Sequence, residues 1–98
     1  MTPEGKVKQR IKEFLKELGT WQYWPVSNGM GVHGIPDVIV NHNGRFFAFE
    51  VKAPGRRNEK RRGATALQEI QINSINAAGG VAAVVDCVSE VKELMGET

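Results

Sequence analysis

The dipeptide Asn43-Gly44 constrains the fold of this chain more than any other feature of its sequence. It separates two runs rich in β-branched and aromatic residues, 37–40 and 45–52. Asn-Gly is a preferred pair for a two-residue hairpin loop because both residues tolerate positive φ. The two runs are therefore predicted to be adjacent antiparallel strands that meet at this turn.

Hydrophobic periodicity predicts the remaining elements and, with them, the fold class. An amphipathic helix begins at Thr2-Pro3, where Thr caps and Pro fits the first turn, and it ends at Gly19. The pattern further predicts a strand over 21–26, a helix over 65–78, a buried strand over 81–85 and a short last helix capped by Ser89. The helix after the hairpin is expected to pack through Leu67, Ile70, Ile75 and Ala78. The order α-β-β-β-α-β, followed by the last helix, predicts an α/β domain with a mixed sheet flanked by helices.

Composition favours a single domain in a reducing compartment. The 98 residues support one hydrophobic core, so residues 1–98 are predicted to form one domain. No apolar run approaches membrane-spanning length, and residues 1–6 lack the apolar stretch of a secretory signal. The single Cys87 has no intrachain partner for a disulfide. We therefore expect a cytoplasmic protein with no membrane partner.

Basic residues are concentrated in one short segment. The net charge of +2 is mild and alone does not indicate nucleic acid, but five of the seven residues in 56–62 are basic. Such a cluster directly after a strand is typical of a loop that contacts phosphate, and equally of a solvated surface loop. The candidates for phosphate contact are Arg56, Arg57, Lys60, Arg61 and Arg62.

The hairpin brings two carboxylates and one ammonium to the same end of two strands. Asp37 begins one strand, and Glu50 and Lys52 lie two residues apart on one face of the other. The carboxylates, with the backbone carbonyl of Val51, offer the oxygen ligands that Mg²⁺ prefers. Such an ion activates water and neutralises phosphate charge, and Lys52 can orient or deprotonate that water or stabilise negative charge. The set suits phosphodiester hydrolysis; the alternative is a turn aspartate beside an ordinary Glu–Lys ion pair.

Glu4 is a further acidic candidate. It lies one turn before Val7 on the apolar stripe of the first helix, so its carboxylate is expected to face the interior. A carboxylate there needs a partner, because an unpaired buried charge is costly. Glu4 can therefore reach the same site, through a water molecule or through a second ion.

The segments Gly34-Ile35-Pro36-Asp37 and Glu50-Val51-Lys52 resemble the motif of the PD-(D/E)xK nuclease superfamily. Within it, the chain resembles the virus-type replication-repair nuclease (VRR-NUC) domain and, more distantly, the archaeal Holliday-junction resolvases. Glu4 matches the glutamate of the family's N-terminal helix, Gln68 matches a glutamine on the helix after the motif, and 78–82 matches the turn into the final strand. The resemblance covers most of the chain and implies a restriction-endonuclease-like core.

The resemblance implies a Mg²⁺- or Mn²⁺-dependent phosphodiesterase acting on DNA, with a catalytic set of Asp37, Glu50, Lys52, Glu4 and Gln68. Stand-alone domains of this size resemble homodimeric junction resolvases, and a C2 dimer supplies two matching sites for the paired cuts of a four-way junction. The expected setting is DNA repair or recombination in a bacterial or phage-infected cell. The alternatives are a flap or nicking nuclease, the catalytic subunit of a larger complex, and a non-catalytic DNA-binding module.

Several other residues each have two interpretations. Gln68 can act at the site or can close a helix capping box with Thr65. The glycine-rich loop 27–34 offers further DNA contacts through Ser27, Asn28 and His33, although a loop histidine usually has no direct role. Three aromatic residues of the first strand can stack on splayed bases or belong to a core or dimer interface: Trp21, Tyr23 and Trp24.

Overall fold

A computed structural model describes residues 1–26 and 31–98, and this part of the chain contains three α-helices and a four-stranded sheet. The elements in chain order are α1 (Pro3–Leu18), β1 (Trp21–Tyr23), β2 (Val38–His42), β3 (Arg45–Val51), α2 (Ala66–Ala77), β4 (Val81–Val85) and α3 (Val88–Met95). A short 3₁₀ turn, Lys60–Gly63, precedes α2. The predicted α/β class and the element order are confirmed. No helix in the described ranges is long and apolar enough to cross a membrane.

The sheet has the strand order β1-β2-β3-β4. The first three strands are antiparallel neighbours, whereas β4 runs parallel to β3 and is reached through α2. The hairpin turn forms as predicted: Asn43 has φ 52° and Gly44 has φ 79°, the two positive values of a type I′ turn. The resulting register pairs Val38 with Phe49, so the residues just before β2 lie beside the end of β3.

One face of the sheet carries the hydrophobic core. Side chains of β2, β3 and β4 meet α1 and α3 in a cluster that comprises Val7, Ile11, Leu15, Val38, Val40, Phe47, Phe49, Val51, Val85, Val91 and Met95. The caps predicted for α1 are present, since the Thr2 hydroxyl accepts the N–H of Gly5 and Gly19 has φ 82°. Because both helices pack on this face, they hold the strands of the hairpin in a fixed frame.

The opposite face of the sheet is only partly covered, by α2 over β3 and β4. The expected packing of α2 is wrong in part: Leu67 and Ile70 are 53% and 57% exposed, and Ala78 is also exposed. Trp21 and Tyr23 point to this face too, because they pair across the sheet with Asn41 and Ile39, and both are more than half exposed. An extensive apolar surface therefore remains uncovered on this side.

Several element boundaries differ from the sequence predictions by one to three residues; β2, for example, begins at Val38 rather than at Asp37 and extends to His42. The first strand ends at Tyr23 rather than at 26, because Pro25 has no N–H to donate to a strand ladder. The last helix is capped at Cys87 rather than at Ser89, which lies inside α3. There the Glu90 carboxylate accepts the backbone N–H of Asp86 at 2.9 Å and so holds the residue that precedes the Cys87 cap.

Candidate active site

Asp37 ties the two strand ends together. It lies one residue before β2, after the buried Pro36, and its Oδ2 accepts the backbone N–H of Val51 at 2.7 Å. In an extended strand the N–H and C=O of one residue point to the same side, so the Val51 carbonyl also faces the side of Asp37. The next N–H, that of Lys52, donates instead to Val85 on β4. The structure thus brings Asp37 and Val51 together as the sequence predicted.

Glu50 is a buried carboxylate with one free oxygen. Its side chain is 3% exposed, its Oε2 lies 3.4 Å from the Lys52 Nζ, and its Oε1 has no hydrogen-bond partner among the described residues. Burial and the nearby charge of Asp37 raise the pKa of Glu50 to about 8, against the opposing effect of Lys52. Two carboxylates held this close in a buried place repel each other when both are ionised. A divalent cation would relieve that repulsion and supply the missing partner of Oε1, so these residues fit a Mg²⁺ or Mn²⁺ ion.

Glu4 and Lys8 lie beside the same pair on the first turns of α1. The Nζ of Lys8 is 3.3 Å from Glu4 Oε2 and 3.5 Å from Asp37 Oδ1. Desolvation lowers the pKa of Lys8, but Asp37 and Glu4 together outweigh it and the net shift is upward. Glu4 is more exposed than the apolar stripe predicted, with 39% of its side chain accessible, because it lies at the rim of the core. Lys8 was not among the residues predicted for the site, although its position one turn after Glu4 was an available signal.

Gln68 forms the capping box that the sequence offered as one of its two roles. Its Oε1 accepts the N–H of Thr65 at 2.8 Å, and the Thr65 hydroxyl accepts the N–H of Gln68 at 3.1 Å. Gly34 approaches the same helix end, because a Cβ at this position would meet the backbone of Leu67. The start of α2 is therefore packed against the segment that leads to Asp37. The active-site role of Gln68 stays a prediction.

Three of the five basic candidates after β3 are already paired with carboxylates. Arg56 contacts Glu59 at 2.9 Å, outside the rest of the network. Arg57 donates two hydrogen bonds to Asp86, at 2.7 and 2.9 Å, and Arg62 donates to both oxygens of Glu90. We call the last four residues the loop clamp: Arg57, Arg62, Asp86 and Glu90. The clamp fixes the basic segment against the start of α3.

Lys60 and Arg61 are the basic candidates without a carboxylate contact among the described residues. Lys60 is exposed, and Arg61 uses its Nε to donate to the Ala64 carbonyl. His33 is also exposed, and its backbone carbonyl accepts a hydrogen bond from the Gln71 side chain at 3.5 Å. Ser27 and Asn28 lie outside the described residues. The DNA-binding assignments therefore stay predictions.

A second group of potential metal ligands comprises the two carboxylates of the loop clamp and the neighbouring Cys87. Ligand atoms of Asp86, Cys87 and Glu90 lie within 4.8 Å of one another. Both carboxylates are already neutralised by arginine, and the hydrogen bonds from Arg57 are the largest cause of a lowered pKa at Asp86. This group is an ion-pair network, and an ion there would have to displace two guanidinium groups.

A solved structure described as a VRR_NUC domain is similar to this one. The two superpose with a TM-score of 0.74 and 26% sequence identity over 98% of this chain and 97% of the other. No protein-family model matches the chain. No curated protein matches its sequence. The similarity over nearly the whole of both chains confirms the restriction-endonuclease-like fold and the resemblance to VRR-NUC nuclease domains.

Proposed function

We propose that this chain, a VRR-NUC-type nuclease domain, is a Mg²⁺- or Mn²⁺-dependent DNA endonuclease. The observation that carries the proposal is Glu50 Oε1, a buried carboxylate oxygen that has no hydrogen-bond partner within residues 1–26 and 31–98 and lies near Asp37. A buried polar atom without a partner is costly in a stable fold unless a ligand satisfies it. Asp37, Glu50 and the Val51 carbonyl would hold the ion, with Glu4 contributing through a water molecule.

The roles of the residues follow from their positions. The ion supplies activation of water and neutralisation of phosphate charge. Lys52 is fixed by Glu50 at 3.4 Å and is 12% exposed, so its ammonium is held at the edge of the site. There it can orient the attacking water and stabilise the negative charge that develops on the phosphate. Gln68, held at the start of α2 by its capping box, would line the site as a positioning residue.

Branched DNA is the substrate that we propose, with a four-way junction as the leading candidate. Lys60 and Arg61 lie between β3 and α2, in the segment that the loop clamp fixes at both ends. Their side chains would contact backbone phosphate. Phosphate contacts of this kind add affinity and salt dependence but do not read bases. Recognition of DNA shape is therefore a better match to these residues than recognition of sequence.

The apolar surface on the α2 side of the sheet supports the proposal of a homodimer. We call this surface the apolar face; it comprises Trp21, Tyr23, Phe46, Leu67 and Ile70, each at least 44% exposed. None of these residues is charged, and Glu69 is the only charged residue of α2. An uncharged surface does not suit DNA phosphate, but it can pack against the same surface of a second copy.

The dimer is tested by analytical ultracentrifugation. Leu67→Glu and Ile70→Glu place a charge on the apolar face and are expected to give monomers, whereas the parent protein sediments as a dimer. Lys16→Glu, on the exposed side of α1 across the sheet, is the control and should remain dimeric. A parent protein that is monomeric at micromolar concentration would contradict this part of the proposal.

The substrate is tested with a panel of labelled DNA in Mg²⁺ or Mn²⁺: a four-way junction, a flap, a splayed arm and a linear duplex. Paired symmetric cuts near the branch point of the junction are expected. A single cut at the flap would instead favour the flap nuclease, and cleavage that requires an added protein would favour a subunit of a complex. Tight junction binding without cleavage would favour a non-catalytic binding module.

A further inference from the structure

Lys8 occupies a bridging position between two carboxylates of the candidate active site. Its ammonium lies 3.3 Å from Glu4 Oε2 and 3.5 Å from Asp37 Oδ1. The other oxygen of Asp37 is bonded to the backbone of Val51, so Oδ1 is the oxygen left for a cation. Lys8 therefore contacts the one available oxygen of Asp37 and an oxygen of Glu4 at the same time.

The net charge of the site favours one divalent ion over two. Three carboxylates, those of Glu4, Asp37 and Glu50, face two ammonium groups, those of Lys8 and Lys52. Fully ionised, the five groups carry a net charge of −1. One divalent ion changes this to +1, whereas two would give +3 in a partly buried site, where like charges repel strongly. With Lys8 in place, a second ion between Glu4 and Asp37 is therefore disfavoured.

We propose that the Lys8 ammonium takes the place of a second divalent ion between Glu4 and Asp37, so that each chain binds one ion. The inference rests on the proposed metal-dependent function and adds a positioning residue to it. Lysine suits this role because its ammonium is a compact charge on a flexible stem, and it can bridge two oxygens without a fixed coordination geometry. In this arrangement Glu4 contacts Lys8 directly and reaches the ion only through a water molecule.

The test is a titration of the protein with Mn²⁺, in which calorimetry and electron paramagnetic resonance measure the number of bound ions. The parent protein is expected to bind one ion per chain. Lys8→Met, which keeps the stem and removes the charge, is expected to bind two ions per chain and to show the spin coupling of neighbouring Mn²⁺ ions. Lys8→Arg keeps a positive charge at this position and should bind one.

Two further variants make the result specific. The double variant Lys8→Met with Glu4→Gln is expected to return to one ion, because the second ion would have lost its carboxylate. Lys16→Met, which removes one exposed positive charge elsewhere on α1, controls for net charge and should bind one. Circular dichroism of each variant checks that the fold is retained.

The outcomes separate this inference from the proposed function. One ion in the parent protein and one in Lys8→Met would overturn the role of Lys8 and leave the proposed metal site intact. Two ions in the parent protein would also overturn it. No Mn²⁺ binding by any of the proteins would overturn both proposals.

Discussion

The carboxylate of Asp37 accepts the backbone N–H of Val51 at 2.7 Å, and this bond joins the start of β2 to the end of β3. One oxygen of Asp37 therefore has a structural role, and the other is left for a cation. Because an asparagine carbonyl can still accept the N–H of Val51, Asp37→Asn removes the charge and retains this bond. Asp37→Ala would lose both, so Asp37→Asn is the more specific variant for testing the site.

The first prediction concerns the pH dependence of stability in the absence of divalent ions. The pKa of Glu50 is raised to about 8, so the folded state favours the protonated carboxyl. The contribution of the protonated Glu50 carboxyl to the free energy of unfolding is fully present below the ordinary glutamate pKa and is lost as the pH rises to about 8. Glu50→Gln, which does not ionise, should gain stability relative to the parent protein over this range, on the order of 2 kcal/mol. Urea unfolding at pH 5 and pH 8 measures the difference.

A control for this prediction uses the proposed ion. Saturating Mn²⁺ should stabilise the parent protein at pH 8 and leave Glu50→Gln almost unchanged, because the ion binds the ionised carboxylate. If the free energies of unfolding of the two proteins change in parallel from pH 5 to 8 without metal, the pKa of the Glu50 carboxyl is not raised.

The second prediction concerns the loop clamp. Asp86→Asn should lower the melting temperature by several degrees, because Asp86 is buried and accepts two hydrogen bonds from Arg57. The pKa of Asp86 is lowered, so its contribution is present above its ordinary pKa and is lost as the pH falls below about 4. The two melting temperatures should therefore converge in acid. A gap that does not narrow between pH 5 and pH 2 would mean that the loss comes from packing alone.

The third prediction separates the two roles of Gln68. Gln68→Glu keeps an oxygen that can accept the N–H of Thr65, so the capping box and the melting temperature should be retained. Gln68→Ala should cost about 1 kcal/mol in the free energy of unfolding. If Gln68 lines the site, Gln68→Glu should also reduce the DNA cleavage rate, because it adds a negative charge near phosphate. Unchanged cleavage by Gln68→Glu would leave Gln68 with a structural role only.

The fourth prediction concerns the close approach of Gly34 to α2. Gly34 has φ 82°, and a Cβ there would meet the backbone of Leu67. Gly79 has φ 99° with nothing within 4 Å of its Cβ position, so it is a matched control for backbone strain. Gly34→Ala should destabilise the protein by at least about 2 kcal/mol more than Gly79→Ala, because backbone atoms must move apart. Equal losses would mean that Gly34 can shift away from α2 at little cost.

Local signals predicted much of this fold. The turn residues Asn43 and Gly44 determine a hairpin with positive φ at both positions, and the register follows from that turn. The Thr65–Gln68 capping box could also be predicted from a local signal, because the two residues are three positions apart at the start of a helix. The adjacency of Asp37 and Val51 is a consequence of the hairpin, so it could be predicted without a tertiary structure.

Contacts between distant segments could not be predicted in this way. Nothing in the order of residues 56–62 indicates that Arg57 and Arg62 pair with carboxylates about 30 positions later at the start of α3. The same holds for Lys8, whose partner Asp37 lies on another element. The predicted packing of α2 was wrong in part, because helical spacing identifies an apolar side of the helix but does not say whether the same chain covers it.

The most direct test of the central claim is cleavage of a labelled four-way junction by the parent protein and by Asp37→Asn, with and without Mg²⁺. We expect cleavage by the parent protein that requires Mg²⁺ and is lost on chelation. We also expect a reduction of at least about 100-fold in Asp37→Asn, with the melting temperature and the junction affinity retained. Cleavage by Asp37→Asn at the parental rate, or parental cleavage that persists in chelator, would contradict a metal site at Asp37 and Glu50.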